Sequence, residues 1–295
     1  MKKISFLCLL LFTSCTLQKA VIPRLEHTLK EETIQEKKAP FTPLSFNEKT
    51  TQWGAEYLVG QELIKELDLF RAITSLKKAR ILCSDDERQK EVQYGLIYAY
   101  FLAKKYETAT ALFEKSILAV NPSTFPPYDD LLLILYTSYR AQEERNKAQA
   151  VYNKIYYHNE EKAKKLLLYE DFKQFNKEEL PKEFDLNFLK SPYTAGTLNA
   201  LLPGLGYAYA EQYQTGITSF CLNALFIAAT IEFARRDLIA PALIAFSFEC
   251  GWYGGGIKGA FDAVRERNSS IYNKRATTYM NKEKVFPILQ LEYGF

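Results

Sequence analysis

The chain has 295 residues, of which 47% are hydrophobic and 25% are charged, so it carries enough apolar material for two domains. Its formal net charge of +3 is too small to indicate a nucleic-acid partner, and we expect none. The two histidines, His27 and His158, lie far apart, and the sequence has no Gly-x-Ser-x-Gly motif, phosphate-binding loop or Cys/His cluster at metal-ligand spacing. We therefore expect neither an enzyme nor a cofactor or metal site.

Residues 1–15 have the pattern of an export signal. Lys2 and Lys3 precede an apolar stretch that is too short to span a bilayer, and small residues then lead to Cys15. This pattern resembles the signal peptide of a bacterial lipoprotein, and the resemblance implies that Cys15 is lipidated. The alternative is an ordinary signal peptide that is cut near the same place. Both alternatives predict a protein of the bacterial cell envelope whose next domain lies outside the cytoplasm. Neither distinguishes the inner membrane from the outer membrane.

Residues 16–49 are charged and irregular, and they include prolines at positions 23, 40 and 43. This composition predicts a tether between the membrane and the first domain. One short helix is predicted within it, near residues 25–35.

Residues 50–176 contain an internal repeat. Three sets of five residues have identical internal spacing: Gly60, Leu63, Ala72, Leu76 and Ala79; Ile97, Tyr100, Ala109, Phe113 and Ser116; and Tyr136, Tyr139, Ala148, Tyr152 and Ile155. The sets recur at about the period of a helix–turn–helix unit, with a few residues inserted in the turns. They resemble the tetratricopeptide repeat, and this resemblance implies helical hairpins whose small residues let the second helix pack closely on the first. The alternative is three helical hairpins of another all-α bundle.

The tetratricopeptide-like reading also predicts a capping helix over residues 160–175, because three repeats are the minimum for a stable solenoid. It implies a groove that binds a partner protein or peptide. Residues 177–190 follow as a predicted linker, since Pro181 disfavours a helix through the residue before it.

Residues 191–268 form the predicted membrane domain. Two apolar runs, residues 217–234 and 238–253, flank Arg235 and Arg236. At about 1.5 Å per residue, each run approaches the ~30 Å hydrocarbon core of a bilayer. We therefore predict a helical hairpin in a membrane, with membrane lipid as a partner.

A short motif precedes the hairpin, and a related one closes it. The residues are Pro203, Gly204, Gly206, Tyr207 and Gly216 in the first part, and Glu249, Gly251, Trp252 and Gly255 in the second. Together they resemble a small bacterial membrane domain with a Pro-Gly-x-Gly-Gln signature, in which Tyr207 stands at the position of the Gln. The resemblance implies membrane residence. Proline and glycine also interrupt the apolar run, so residues 194–210 are not expected to form one straight helix.

Two features of the second run carry alternative interpretations. Gly251, Gly255 and Gly259 recur at four-residue spacing, which is typical either of packing within the hairpin or of a homo-oligomer joined through this glycine ridge. Glu249 lies within an apolar run, where a carboxylate is costly. It is either a hydrogen-bond anchor to Tyr207, Tyr209, Asn223 or Lys258, or a proton or ion site.

Residues 269–295 form the predicted tail, which is polar to Lys284 and then alternates between apolar and polar residues. Alternation of period two predicts a strand. The end of the tail is similar to the closing strand of outer-membrane barrels, although a single strand packed on the helical domain explains the same pattern.

The sequence thus predicts an all-α chain: tetratricopeptide-like hairpins, a membrane helical hairpin and a short extended tail. Two functions follow. The first is a membrane-anchored envelope scaffold or adaptor whose repeats bind a protein partner. The second is a component of envelope transport or membrane-protein assembly that acts through the hairpin.

Overall fold

The computed structural model describes residues 22–35, 37–119 and 125–294, so the predicted signal peptide and Cys15 lie outside the described residues. The described part is all-α, as predicted, and its only β pairing is an isolated bridge between Lys38 and Tyr293. Its helices are α1 (Glu31–Gln35), α2 (Phe46–Thr50), α3 (Gln52–Lys65), α4 (Leu69–Leu82), α5 (Asp86–Leu102), α6 (Tyr106–Glu114), α7 (Tyr128–Ala141), α8 (Arg145–His158), α9 (Glu160–Gln174), α10 (Pro192–Leu201), α11 (Leu205–Tyr209), α12 (Tyr213–Arg235), α13 (Ile239–Lys282) and α14 (Pro287–Gln290).

The chain divides into two compact units. Among the described residues, the repeat unit comprises those within 26–172 and 277–294, and the hairpin unit comprises residues 22–25 and 173–276. The repeat unit therefore takes in the end of the chain as well as the predicted repeats.

Three helical hairpins form the body of the repeat unit, through the pairs α3 with α4, α5 with α6 and α7 with α8. The predicted small residues lie in buried positions: Ala72, Ala79 and Ala109 are fully buried, and Ala148 is 1% exposed. At Gly60, a Cβ atom would lie 2.7 Å from Cγ of Leu76, so only glycine allows α3 to approach α4 this closely. Helical hairpins at these positions are confirmed, while their assignment to the tetratricopeptide family stays a prediction.

The larger residues of the repeat pack beside these contacts. Tyr100 and Tyr139 are buried, and the Tyr139 hydroxyl lies 3.1 Å from a carboxylate oxygen of Glu114. Phe113 is partly buried, and the ring of Tyr152 packs 6.0 Å from that of Tyr136. The predicted capping helix is present as α9.

Each hairpin of the repeat unit turns in the same way. Leu67, Lys104 and Glu143 have positive φ values of 59°, 57° and 62°. The residue after each of them donates its N–H to the carbonyl five residues earlier, as from Lys105 to Tyr100 at 2.9 Å. This is the Schellman pattern of helix termination, and it places one residue of each turn in the left-handed region.

The described part of the predicted tether, residues 16–49, packs against the repeats. Ile34 is fully buried and Leu44 is 7% exposed, and the ring of Phe41 packs 6.0 Å from that of Tyr94 on α5. Glu48 accepts a 2.7 Å hydrogen bond from Arg88, which anchors α2. Irregular, proline-containing sequence here forms a packed segment, because its few apolar side chains have a core to enter.

Residues 269–282 of the predicted tail continue helix α13. Val285, Phe286 and Leu291 then pack into the repeat unit, and residues 287–290 form the short helix α14. The alternating pattern yields only the single bridge at Tyr293.

A buried carboxylate holds the end of the chain. Asp130, in the first turn of α7, is fully buried and accepts hydrogen bonds from the N–H groups of Glu292, at 2.9 and 3.0 Å, and Tyr293, at 2.7 Å. Lys162 forms a 2.6 Å ion pair with Glu292 beside it. Residues 292 and 293 are thereby fixed to α7.

In the hairpin unit, α10 begins at Pro192 with Ser191 as its cap and ends at Leu201. Gly204 follows with φ of 95°, a value that favours glycine, and α11 then begins. The prediction that residues 194–210 do not form one straight helix is confirmed. The residues of the predicted linker form no helix, and Asn268 on α13 binds both the N–H and the C=O of Lys190, at 3.0 and 2.7 Å.

Candidate functional site, an apolar helical hairpin

Helices α12 and α13 run antiparallel from a tight turn at residues 236–238. The rings of Phe226 and Phe248 stack at 6.1 Å, and a Cβ atom at Gly256 would lie 3.7 Å from Oγ of Ser219. In an antiparallel pair, each step forward along one helix is a step backward along the other. The pair 226 and 248 and the pair 219 and 256 are related in this way to within one residue, so the two contacts agree on one register. The turn uses the same Schellman pattern as the repeats, with Asp237 at φ of 58°.

Small and polar residues fill the seam between the two helices. The buried positions of α12 are Gly216, Ser219 and Asn223, and those on the facing part of α13 are Ala242, Ala245 and Glu249. They recur three or four residues apart, so that each set forms one stripe. Close packing through small residues is typical of helix pairs in membranes, where large apolar side chains gain nothing by moving inward.

The outer surface of this hairpin is apolar. Its exposed large side chains are Ile217, Phe220, Leu225, Ile227, Ile231, Leu238, Ile239, Leu243, Ile244, Phe246, Phe248 and Trp252. Among the described helices, α12 alone is long and apolar enough to cross a membrane, and only 11% of its most apolar stretch is buried. The core helix of a soluble protein would be mostly buried. The second predicted run, within α13, does not meet the same criterion.

Charged groups lie at both ends of α12. At one end, Glu211 forms ion pairs with Arg267 at 2.6 Å and Lys190 at 2.7 Å, and these hydrogen bonds lower the pKa of Glu211 to about 2. At the other end, Arg236 pairs with Glu232 at 2.7 Å. Sequence reasoning missed the Glu211 cluster, since its members lie 21 and 56 residues apart.

The Pro-Gly-x-Gly motif supports the base of the hairpin. Gly204 lies against the backbone of Gly216, and Gly206 lies against the carbonyl of Ala195. The hydroxyl of Tyr207 occupies the space that a side chain at position 259 would need. Pro203 lies in the turn before α11. The contact between Gly204 and Gly216 brings this part of the motif against the first turn of α12.

The glycine ridge divides into two parts. Gly259 packs within the unit, against Tyr207. Gly251 and Gly255 have no atoms within 4 Å of an added Cβ, so packing inside the hairpin does not explain them. Trp252, beside them, is 48% exposed.

Glu249 is 8% exposed in the seam, and neither of its carboxylate oxygens has a hydrogen-bond partner. The candidate partners are engaged elsewhere or exposed: the Tyr209 hydroxyl accepts from the N–H of Ser191, Asn223 donates to the carbonyl of Ser219, and Lys258 is exposed. The expected hydrogen-bond anchor is therefore not formed.

In the repeat unit, the chain's own segments pack on the first helices of the second and third hairpins. Tyr94 packs against Phe41 and Phe125, and Asp130 holds the tail. Most of the exposed large apolar side chains of the paired helices lie on their second members, as with Phe70 and Ile81 on α4, which are 79% and 78% exposed, while Val59 on α3 is 49% exposed.

Comparison with protein-family models, with curated proteins and with solved structures finds no match for this chain. Among the described residues, no group of three or more His, Cys, Asp or Glu side chains is placed to hold a metal ion.

Proposed function

We propose that this protein is a membrane-anchored scaffold or adaptor of the bacterial cell envelope. Its α12–α13 hairpin spans the membrane, and its repeat unit binds a partner protein. The observation that carries the proposal is the arrangement of the hairpin, with small and polar residues inside and large apolar residues outside. Water would oppose this arrangement, whereas lipid favours it.

The dimensions of the hairpin support a membrane position. Helix α12 has 23 residues, which corresponds to about 34 Å at 1.5 Å per residue and exceeds the ~30 Å hydrocarbon core. The charged clusters of Glu211 and Arg236 lie at its two ends, where they would meet the aqueous interfaces.

The contacts within the repeat unit favour two crossings over one. A single crossing by α12 would separate Asp130 from Glu292 by a bilayer, yet the two residues are hydrogen-bonded. The proposal therefore includes a second crossing by the first part of α13, which returns the chain to its starting side. The export pattern of residues 1–15 supports the outside of the cytoplasm as that side.

The partner surface of the repeat unit is proposed to include the second helices of the hairpins. Phe70 and Ile81 lie 11 residues apart on α4, which brings them to the same side of the helix. Tyr157 on α8 is 88% exposed. Exposed side chains of this size support contact with another protein more directly than does the covered face near Tyr94.

The test of membrane anchoring is extraction of membranes from cells that produce the full chain. We expect the protein to remain in the pellet at alkaline pH and to float with lipid on a density gradient. The Cys15→Ala variant separates the two anchors: if the hairpin spans, membrane retention persists without lipidation. Release of the Cys15→Ala variant by alkaline extraction would contradict the spanning hairpin.

A second candidate function is transport or membrane-protein assembly through the hairpin. The unpartnered carboxylate of Glu249 favours it, because a buried acid in a membrane usually faces a partner or water. The test compares Glu249→Gln with Glu232→Gln, which alters an exposed glutamate on α12. Loss of cellular function with unchanged abundance in the first variant alone would support this candidate, and equal function in both would reject it.

A further inference from the structure

One face of the hairpin carries a ridge of small residues with nothing packed on it. Ser247, Gly251 and Gly255 recur at four-residue spacing on α13. A Cβ at either glycine would meet no atom within 4 Å, whereas one at Gly256 would lie 3.1 Å from the side chain of Asn199. Within the described residues the ridge therefore remains uncovered, next to glycines that are in contact.

The ridge borders a groove of about 720 Å³ between α12 and α13. The lining includes Thr215, Thr218 and Ser219 from α12 and Phe248 and Trp252 from α13, and it includes no charged residue. Ser219 is 7% exposed, and its Oγ atom has no hydrogen-bond partner. A buried hydroxyl without a partner is unfavourable in an apolar medium, so a hydrogen bond to Ser219 would be stabilising there.

We propose that this groove and ridge form a dimer interface, and that the occupant is the same hairpin of a second copy. The inference rests on the proposed membrane position of the hairpin. Copies inserted by the same signals share one orientation, so two α13 helices can meet in parallel about a two-fold axis along the membrane normal. Each ridge then faces an identical ridge, as an isologous contact requires.

The chemistry of the groove distinguishes this occupant from a lipid chain. A flat ridge of Ser247, Gly251 and Gly255 lets two backbones approach closely, which is the usual basis of helix pairing in membranes. A second helix brings carbonyl and side-chain oxygens that can pair with the Ser219 hydroxyl, and an acyl chain brings none. The uncharged lining also fits a second copy of itself without repulsion.

Cysteine cross-linking of the full chain in liposomes tests the interface. One variant carries Gly251→Cys with the other thiols of the mature chain replaced, and its control retains only the native Cys250. Neighbouring residues differ by about 100° around a helix, so the control faces a different direction. We expect oxidation to link Gly251→Cys into dimers and to leave the Cys250 control monomeric, since a disulfide needs Cα atoms within about 7 Å.

A second pair of variants tests the ridge directly. Gly255→Leu, added to Gly251→Cys, should overpack the ridge and reduce the cross-linked fraction about tenfold. Gly254→Leu is its control, because Gly254 is equally open but lies off the ridge. Equal cross-linking at positions 250 and 251, no cross-linking at either, or insensitivity to Gly255→Leu would overturn the proposal. Flotation of the same liposomes is measured in parallel, so that loss of dimers in floating protein counts against the interface and failure to float counts against the membrane anchor.

Discussion

The two units contain similar helical hairpins with opposite distributions of side chains. In the repeat unit the interior holds large residues, and Tyr94, Leu96, Ile97 and Leu131 are each at most 1% exposed. In the hairpin unit the seam between α12 and α13 holds Gly216, Ser219, Asn223 and Ala245, while large apolar residues lie outside. The backbone geometry is shared and even includes the same Schellman turn. The proposed membrane position of the second hairpin accounts for this difference.

This difference has a simple physical origin. In water, a buried Leu or Phe contributes roughly 1.5–3 kcal/mol, so large side chains belong inside. In lipid the outside is already apolar, and helix pairing then depends on close backbone approach and a few hydrogen bonds. The hairpin unit has the side-chain distribution that the second case describes. The two proposed functions differ in what a membrane hairpin would do beyond anchoring.

The first prediction tests whether the two hairpins face different solvents, by determining which parts of the hairpin unit face water. Leu238→Cys probes the turn and Ser270→Cys probes an exposed position of α13 beyond the hairpin, each in a background without other thiols except Cys15. We expect an impermeant thiol reagent on cells with a permeable outer membrane to label position 270 fully and position 238 scarcely at all. Asn268 is unsuitable as a probe, because it is fully buried against Lys190.

The outcome of the labelling separates the topologies. Strong labelling at both positions would mean that the turn is not across a membrane, and the reverse pattern would mean that the orientation is inverted. The first result would remove the two-crossing arrangement and, with it, the contrast between the two units. The second would keep the two crossings but would contradict the placement of the repeat unit outside the cytoplasm.

The second prediction concerns packing in the repeat unit. Ala109→Leu adds bulk where α6 meets its neighbours in a fully buried position, so it should destabilise this unit by roughly 1–3 kcal/mol. Ala111→Leu is the matched control, two residues along the same helix in a partly exposed position. The measurement is hydrogen-exchange protection of α5–α8 in the full chain. Equal protection in the two variants would show that Ala109 does not occupy a tight crossing.

The repeats and the hairpin could be predicted from the sequence because their signals are local and periodic. Small residues at fixed spacing gave the positions of Ala72, Ala109 and Ala148, and proline with glycine gave the break after α10. The apolar runs on either side of Arg235 gave the two arms of the hairpin. Helices at these positions follow from spacing alone, without knowledge of the tertiary contacts.

The ends of the repeat unit could not be predicted in the same way. Phe41 and Leu44 lie in irregular sequence and become buried only because α5 offers a surface to them. In the sequence, Asp130 is indistinguishable from an ordinary acidic residue in the first turn of a helix. The backbone groups that it binds are 162 and 163 residues away along the chain. The missing hydrogen bond at Glu249 could not be predicted either, since the sequence indicates candidate partners but not their distances.

The third prediction uses the carboxylate that fixes the tail. Burial raises the pKa of Asp130 to about 6, although the N–H groups of Tyr293 and Glu292 and the charge of Lys162 act in the opposite direction. Its pKa in an unfolded chain is about 3.9, so between these values the folded state binds more protons. The stability contributed by Asp130 is therefore fully present below about pH 4 and is lost as the pH rises through about 6, a change of about 3 kcal/mol.

Asp130→Asn keeps an oxygen acceptor for the tail and removes the titration. We expect its melting temperature to fall less than that of the wild type between pH 4 and pH 7, as measured by circular dichroism of the full chain in detergent. Burial also raises the pKa of Glu91 to about 6, so some dependence should remain. Asp129→Asn, at the neighbouring partly exposed position, should behave as the wild type. Identical pH profiles for all three proteins would refute a titrating Asp130.

The smallest expected effect concerns the turn that both units share. Glu143 adopts φ of 62° between α7 and α8, where a side chain is disfavoured and glycine is not. Glu143→Gly should therefore stabilise the repeat unit by about 0.5–1 kcal/mol, the relief of strain exceeding the added entropy of the unfolded chain. Lys154→Gly, at an exposed position inside α8, should instead destabilise it by about 1 kcal/mol. Hydrogen exchange across α7 and α8 measures both variants, and destabilisation by Glu143→Gly would show that the left-handed turn is not retained in solution.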